Sequence, residues 1–258
     1  MRDFKKRYSI CILSEGSLSL ILQCCMYADL IKVSKGDEKE KYALLLDLLT
    51  PVAKAFPSEQ GISSTNTAIQ CFGGYGYCED FPVEQYLRDV RIHAIHEGTT
   101  GIQGMDLLGR KLVMKNGKAA LLFMEEVNQT IKKAVQIPEL EFFARMLEKA
   151  MKELEKVAGF LFNVAGEKGI DVYLSDATLF LEFYSLIVIS WQWLIQGIAS
   201  QKALSGDCSK KDTHFYNGKL FTMNYFFRYE LPKAYSLAAR LMDDDNLTVK
   251  MKTDYFKD

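Results

Sequence analysis

One stretch limits the fold more than any other. From Leu140 to Val164, apolar residues recur at Leu140, Phe143, Leu147, Met151, Leu154, Val157, Leu161 and Val164, always three or four positions apart. That spacing lines one face of an α-helix and cannot serve a strand, whose period is two. The same pattern covers most of the chain. Leu13, Gly16, Leu20, Cys24, Ala28 and Ile31 share a face of a helix expected over about Asp3–Lys35. Tyr42, Leu45, Leu49, Val52 and Phe56 predict a second, and Met124, Val127, Ile131 and Val135 another. Only five prolines occur in 258 residues, so little interrupts long helices.

The breaks are equally legible. Gly36-Asp37 ends the first helix, and Pro57-Ser58 is expected to end the second, with Ser58 as N-cap of a third that runs to about Phe72. Pro82 opens a short helix over Val83–Arg91, and another is expected from Gly101 to Met114. Lys115-Asn116-Gly117-Lys118 reads as a module boundary. Beyond it, turns at Gly166–Gly169 and Gly206–Ser209, with a division at Pro232, leave four helices on short loops, the pattern of an up-and-down bundle. The expected division is residues 1–116, residues 117–246 and a loose tail over 247–258.

Charge and cysteines exclude several classes. The formal net charge of −1 supplies no field for nucleic acid or anionic lipid. Cys24 and Cys25 are adjacent, no C-x-x-C pair occurs, and His93, His96 and His214 lie at no ligand spacing to cysteine. Free thiols, a reducing cytoplasm and no metal are the expectation. The basic start Met1–Arg7 leads into no cleavable signal sequence. Leu179–Ile198 is apolar enough to span a bilayer, but Glu182 and Gln192 interrupt it, so a helix inside a bundle is expected and no membrane span.

Two glycine loops carry the candidate chemistry. In Gln70-x-x-Gly73-Gly74-x-Gly76-Tyr77, glycines without Cβ let backbone N–H groups reach a phosphate, and a glutamine one turn earlier can donate to the same ligand. A glycine C-cap followed by a turn is the plainer reading of that loop. In Glu97-Gly98-Thr99-Thr100-Gly101-Ile102-Gln103, a carboxylate heads a helix. It can be a simple cap favoured by the dipole. It can also be a general base for a proton next to a carbonyl, with the glycine admitting the carbonyl oxygen to backbone N–H donors.

Taken together, the order is Gln70-x-x-Gly73-Gly74-x-Gly76-Tyr77, Pro82-Val83-Glu84, Arg88-Asp89-x-Arg91, Ile95-x-Glu97-Gly98-Thr99 and Ile102-Gln103. This resembles the C-terminal helical domain of the acyl-CoA dehydrogenases. Leu49-Thr50-Pro51-Val52-Ala53-Lys54-Ala55 and Asp106-Leu107-Leu108-Gly109-Arg110-Lys111 are similar to the larger members, which carry an extra C-terminal helical domain. The resemblance covers about Glu15–Leu112, and from Ala119 onward it is architectural. It implies an all-α fold: an incomplete C-terminal bundle of this family followed by a second up-and-down bundle.

The resemblance implies α,β-dehydrogenation of an acyl-CoA thioester with FAD. Glu97 matches the base that takes the α-proton while hydride goes to the flavin, and Gly98 matches a contact to the thioester. Thr99 matches a flavin contact in the same subunit, whereas Gln70, Gly73 and Gly74 match the patch on a neighbouring subunit's FAD diphosphate. Arg88, Asp89 and Arg91 are expected in structural ion pairs, and Gly101 stands where some members have glutamine. An electron-transfer flavoprotein or similar acceptor is the implied redox partner. Family members place a helical domain, a β-domain and one more bundle helix before this region. The expectation is therefore a truncated form, inactive without those parts, that is completed by oligomerisation or by a partner chain. The alternative is a non-catalytic helical scaffold or one subunit of a split complex.

Overall fold

The computed structural model describes residues 4–256, with side-chain surroundings from Cys11 onward. The described residues are helical with no strand: α1 Phe4–Val33, α2 Gly36–Phe72, α3 Val83–Arg91 and α4 Thr100–Asp106 come first. α5 Met114–Val135, α6 Pro138–Lys168, α7 Ile170–Leu174 and α8 Ala177–Leu204 follow, then α9 Lys210–Tyr225, α10 Lys233–Leu241 and α11 Leu247–Lys250.

The expected faces are buried, with shifts of one position. On α6, Leu140, Leu147, Met151, Leu154, Val157, Leu161 and Val164 are buried, while Phe143 lies partly out and packs edge-on to Phe227. On α5 the buried aromatic is Phe123, and Met124 is only partly covered. Ser209 caps α9 through its hydroxyl, which accepts from the Asp212 amide at 3.1 Å. α5 opens on a reversal in which Lys115, Asn116 and Gly117 have φ of 52°, 57° and 80°.

Two expectations fail. Pro57 does not end a helix: α2 runs unbroken through Pro51 and Pro57 to Phe72. Ser58 is not an N-cap, since its hydroxyl donates back to the Lys54 carbonyl at 2.6 Å. A proline inside a helix costs about 3 kcal/mol. Burial of Val52, Ala55 and Phe56 around it offsets that, at about 1.5–3 kcal/mol for each large side chain. The second failure is the start of the apolar helix: the turn at Gly166–Gly169 predicts it over about Tyr173–Leu204, but it begins at Ala177, after the separate turn of α7 that Gly169 opens with φ of 89°. The chain is tied down just ahead of residue 247. Arg240 grips Asp245 with two bonds of 2.8 Å each, Lys168 pairs with Asp244, and α11 follows. Met1–Asp3, Lys257 and Asp258 lie outside the described residues.

α8 is the hub. It packs against α1, α2, α4, α5, α6, α9 and α10, and both tryptophans sit on it, Trp193 fully buried and Trp191 2% exposed. The Trp191 indole N–H donates to Thr130 Oγ1 at 2.8 Å, and Ser19 Oγ donates to the buried Gln192 Oε1 at 2.8 Å. Ser185 and Ser190 bond back to carbonyls four residues earlier, which hides their polarity. α1 comes so close that a Cβ on Gly16 would lie 2.7 Å from Ile189 Cγ2. Cys11–Val33 and Ala177–Leu204 are both long and apolar enough to cross a bilayer by length and composition, but the second is mostly buried in this core.

Candidate active site at the head of α4

The Glu97 loop is built by three neighbours. Thr99 has extended backbone and caps α4, its hydroxyl accepting from the Ile102 amide at 3.4 Å. Glu97 and Gly98 before it both have positive φ, 56° and 89°. For a glutamate that conformation costs about 1–3 kcal/mol and persists only where surrounding contacts impose it. Those contacts are present. Gln103 Nε2 donates to the Glu97 carbonyl at 3.1 Å, the half-buried Lys54 of α2 donates Nζ–H to the Gly98 carbonyl, and Thr100 Oγ1 donates to Glu59. A Cβ at position 98 would sit 2.8 Å from Gln103 Nε2 and push that side chain off the Glu97 carbonyl, while the positive φ itself favours glycine.

The Glu97 side chain is exposed, as is Thr99, and Gly98 is half-buried. A cleft of about 290 Å³ opens beside the loop, lined among others by Phe56, Glu59, Thr100, Thr178 and Glu182. His93 and His96, just before Glu97, sit with Nδ1 and Nε2 3.1 Å apart.

The first glycine loop lies elsewhere. Gly73 caps the far end of α2 with φ of 64°, its amide bonded to the Gln70 carbonyl. Gln70, Gly73 and Gly74 are all exposed, and a Cβ on Gly74 would meet nothing within 4 Å. Gly76 is buried, and a Cβ there would strike the Ile69 carbonyl at 2.5 Å. Phe72, Tyr75 and Phe81 cluster around the loop with ring centroids 5.3–5.9 Å apart. Lys54 reaches Gly98, and Gln70 lies 16 positions further along α2, about 24 Å at 1.5 Å per residue. One chain therefore does not bring the two loops together.

Of the expected ion pairs, Arg88 bonds Glu84 at 2.5 Å one turn away. Asp89 and Arg91 are exposed and have no ion-pair partner among the described residues, because the short α3 offers no acid or base at the right spacing. All six cysteines are free, and burial, reinforced by Cys25, pushes the Cys24 thiol up to about 11. Among the described residues no group of three or more His, Cys, Asp or Glu side chains could hold a metal. Lys54, Glu59 and the side-chain role of Gln103 were not singled out by sequence reasoning. Lys54 and Gln103 stood only as letters of longer motifs.

Comparison with known proteins fits this arrangement. Residues 25–112 match the family described as "Acyl-CoA dehydrogenase, C-terminal domain", and residues 123–252 match "Acetyl-CoA dehydrogenase C-terminal like". The broad-specificity linear acyl-CoA dehydrogenase FadE5 of Mycobacterium tuberculosis is 26% identical over 85% of this chain and 37% of its own length. The 3-methylmercaptopropionyl-CoA dehydrogenase of Ruegeria pomeroyi is 27% identical over 93% of this chain and 40% of its own. The chain thus spans about two fifths of the length of these relatives. In fold it is similar to Caenorhabditis elegans ACDH-11, solved in complex with C11-CoA, with a TM-score of 0.71, 21% identity and coverage of 91% of this chain and 39% of that one. It is also similar to a Bacillus anthracis acyl-CoA dehydrogenase complexed with FAD, with a TM-score of 0.70, 16% identity and coverage of 95% and 43%. With half of its residues inside the second of those family matches and most of the remainder inside the first, the chain belongs to the acyl-CoA dehydrogenase family.

Proposed function

We propose that this chain carries the proton-abstracting part of an FAD-dependent acyl-CoA dehydrogenase, with Glu97 as the base that removes the α-proton of an acyl-CoA thioester. The observation behind this is the Glu97–Gly98 turn, an otherwise unfavourable backbone held by contacts from α2 and α4 and crowned by an exposed carboxylate. Gly98 and Thr99 lie beside it, for the thioester and the flavin respectively. Residues 1–116 form the part that carries both loops, and residues 117–246 are the appended bundle.

The exposed Gln70, Gly73 and Gly74 suit the diphosphate edge of FAD. They supply an amide side chain and glycine backbone with no Cβ in the way. When bound, the flavin is the hydride acceptor. Because the two loops of one chain stand about 24 Å apart along α2, the Gln70 loop serves a site on a neighbouring copy or a partner chain. The exposed apolar side chains of α1, Leu18, Ile21, Leu22 and Met26, give such a neighbour a surface to cover. A reducing cytoplasm and an electron-transfer flavoprotein as acceptor complete the reading.

The test is flavin retention. The purified chain is mixed with FAD and desalted, and the visible spectrum is recorded, first alone and then with a protein that supplies the remaining family domains. Retained flavin that bleaches with acyl-CoA in the completed assembly supports the reading. A completed assembly that binds no flavin overturns it.

A further inference from the structure

We infer that Lys54 and Gln103 are positioning residues that hold the Glu97–Thr99 backbone in its reactive arrangement. The inference rests on the reading of Glu97 as the base. Its own observation is a pair of carbonyl tethers. Gln103 Nε2 donates to the Glu97 carbonyl at 3.1 Å, and Lys54 Nζ donates to the Gly98 carbonyl from a position 44 residues earlier in the chain. These are two successive peptide groups. Both are trans, so in each the N–H points opposite to the C=O. Tying both carbonyls back toward α2 and α4 therefore turns the amides of Gly98 and Thr99 outward, on the side away from the tethers. Neither amide donates a hydrogen bond among the described residues. The same tethers fix the left-handed turn at Glu97 and so the direction in which its carboxylate leaves the backbone.

The two tethers differ in chemistry. Lys54 is half-buried and brings a full positive charge to the Gly98 carbonyl, which polarises the peptide whose N–H belongs to Thr99. Gln103 is neutral and lies on the same short helix that Thr99 caps. Loss of Lys54 removes both charge and anchor, whereas loss of Gln103 removes an anchor alone. An arginine at position 54 keeps the charge and the donor.

The experiment uses a glutamate-specific endoprotease on the full chain, because cleavage follows local opening of the backbone. Lys54→Met and Gln103→Leu are each expected to accelerate cleavage after Glu97 at least tenfold, measured against cleavage after the exposed Glu79 as an internal reference. Lys54→Arg is expected to return the ratio to that of the parent. An unchanged Glu97-to-Glu79 ratio in both variants overturns the proposal, as does equal acceleration at the two sites. In a completed, turning-over enzyme, Lys54→Met is expected to lower kcat tenfold or more with KM unchanged, and Lys54→Arg to restore it. Absence of turnover in the completed parent sinks the active-site reading alone, and the cleavage ratio still decides on the tethers.

Discussion

Gly104 lies against Ala177 so closely that a Cβ on the glycine would stand 2.7 Å from the Ala177 carbonyl oxygen and 2.9 Å from its carbonyl carbon. The neighbour is backbone, so no rotamer change can make room. This contact seats α4, and with it the Glu97 loop, on the first turn of α8. Gly104→Ala is expected to destabilise the chain by about 1–3 kcal/mol, the usual cost of overpacking. Urea unfolding followed by far-ultraviolet circular dichroism measures it, and a midpoint equal to the parent's would contradict the close seating.

For Glu97 the expectation concerns chemistry alone. In the completed assembly, Glu97→Gln keeps the size and exposure of the side chain but removes its basicity. Turnover of an acyl-CoA should fall by at least the ~10²–10⁴-fold that general-base catalysis contributes, while bound flavin after desalting stays at the parent level. Turnover near that of the parent would remove Glu97 from the mechanism.

The Arg240–Asp245 pair makes a prediction about acid. The two parallel bonds from Arg240 hold the Asp245 carboxyl at about 2, against an ordinary 3.8. A carboxyl whose pKa is depressed by folding contributes stability that is complete above its unfolded value and disappears as pH falls toward its folded value. The contribution of this pair should thus be intact above about pH 4 and fade between about pH 4 and pH 2. Carboxyl NMR titration should show Asp245 moved upward in Arg240→Gln, though still held below the ordinary value by the Leu247 amide, and a titration unmoved by that substitution would exclude the arginine as the cause.

Exposed Leu18, Ile21, Leu22 and Met26 on α1 predict self-association. Sedimentation velocity of the chain should show a dimer or larger species, and Leu18→Glu with Leu22→Glu should shift it toward monomer with helicity retained. A clean monomer for the parent would argue that α1 meets no second copy.

Much of the fold was legible because it is written as periodicity. The α6 stripe, the break at Gly206–Ser209 and the buried fate of Leu179–Ile198 all follow from local spacing and turn chemistry. Pro57 misled because propensity is local, whereas burial of Val52, Ala55 and Phe56 against distant helices decides the outcome. The site was legible as a motif but not as a geometry. Glu97, Gly98 and Thr99 announce themselves by order, but the cap read at the Glu97 carboxylate is made instead by the Thr99 hydroxyl. Lys54 and Glu59, 44 and 41 residues before the groups they hold, carry no local signal. The same is true of the distance between the Gln70 loop and the Glu97 loop, which follows only once α2 is seen to continue unbroken through its prolines.

The central place of α8 has a consequence for how this chain tolerates dissection. Its early turns support α4 and the Glu97 loop, its middle turns hold α1 through Ile189 and Trp193, and its other faces close the later helices. A cut made at the sequence boundary near Gly117 would therefore strip the earlier half of the floor it rests on and leave the later half with an uncovered wall. The segment that looks appended in the sequence is a foundation in three dimensions: in this chain the Glu97 loop, through α4, rests on α8.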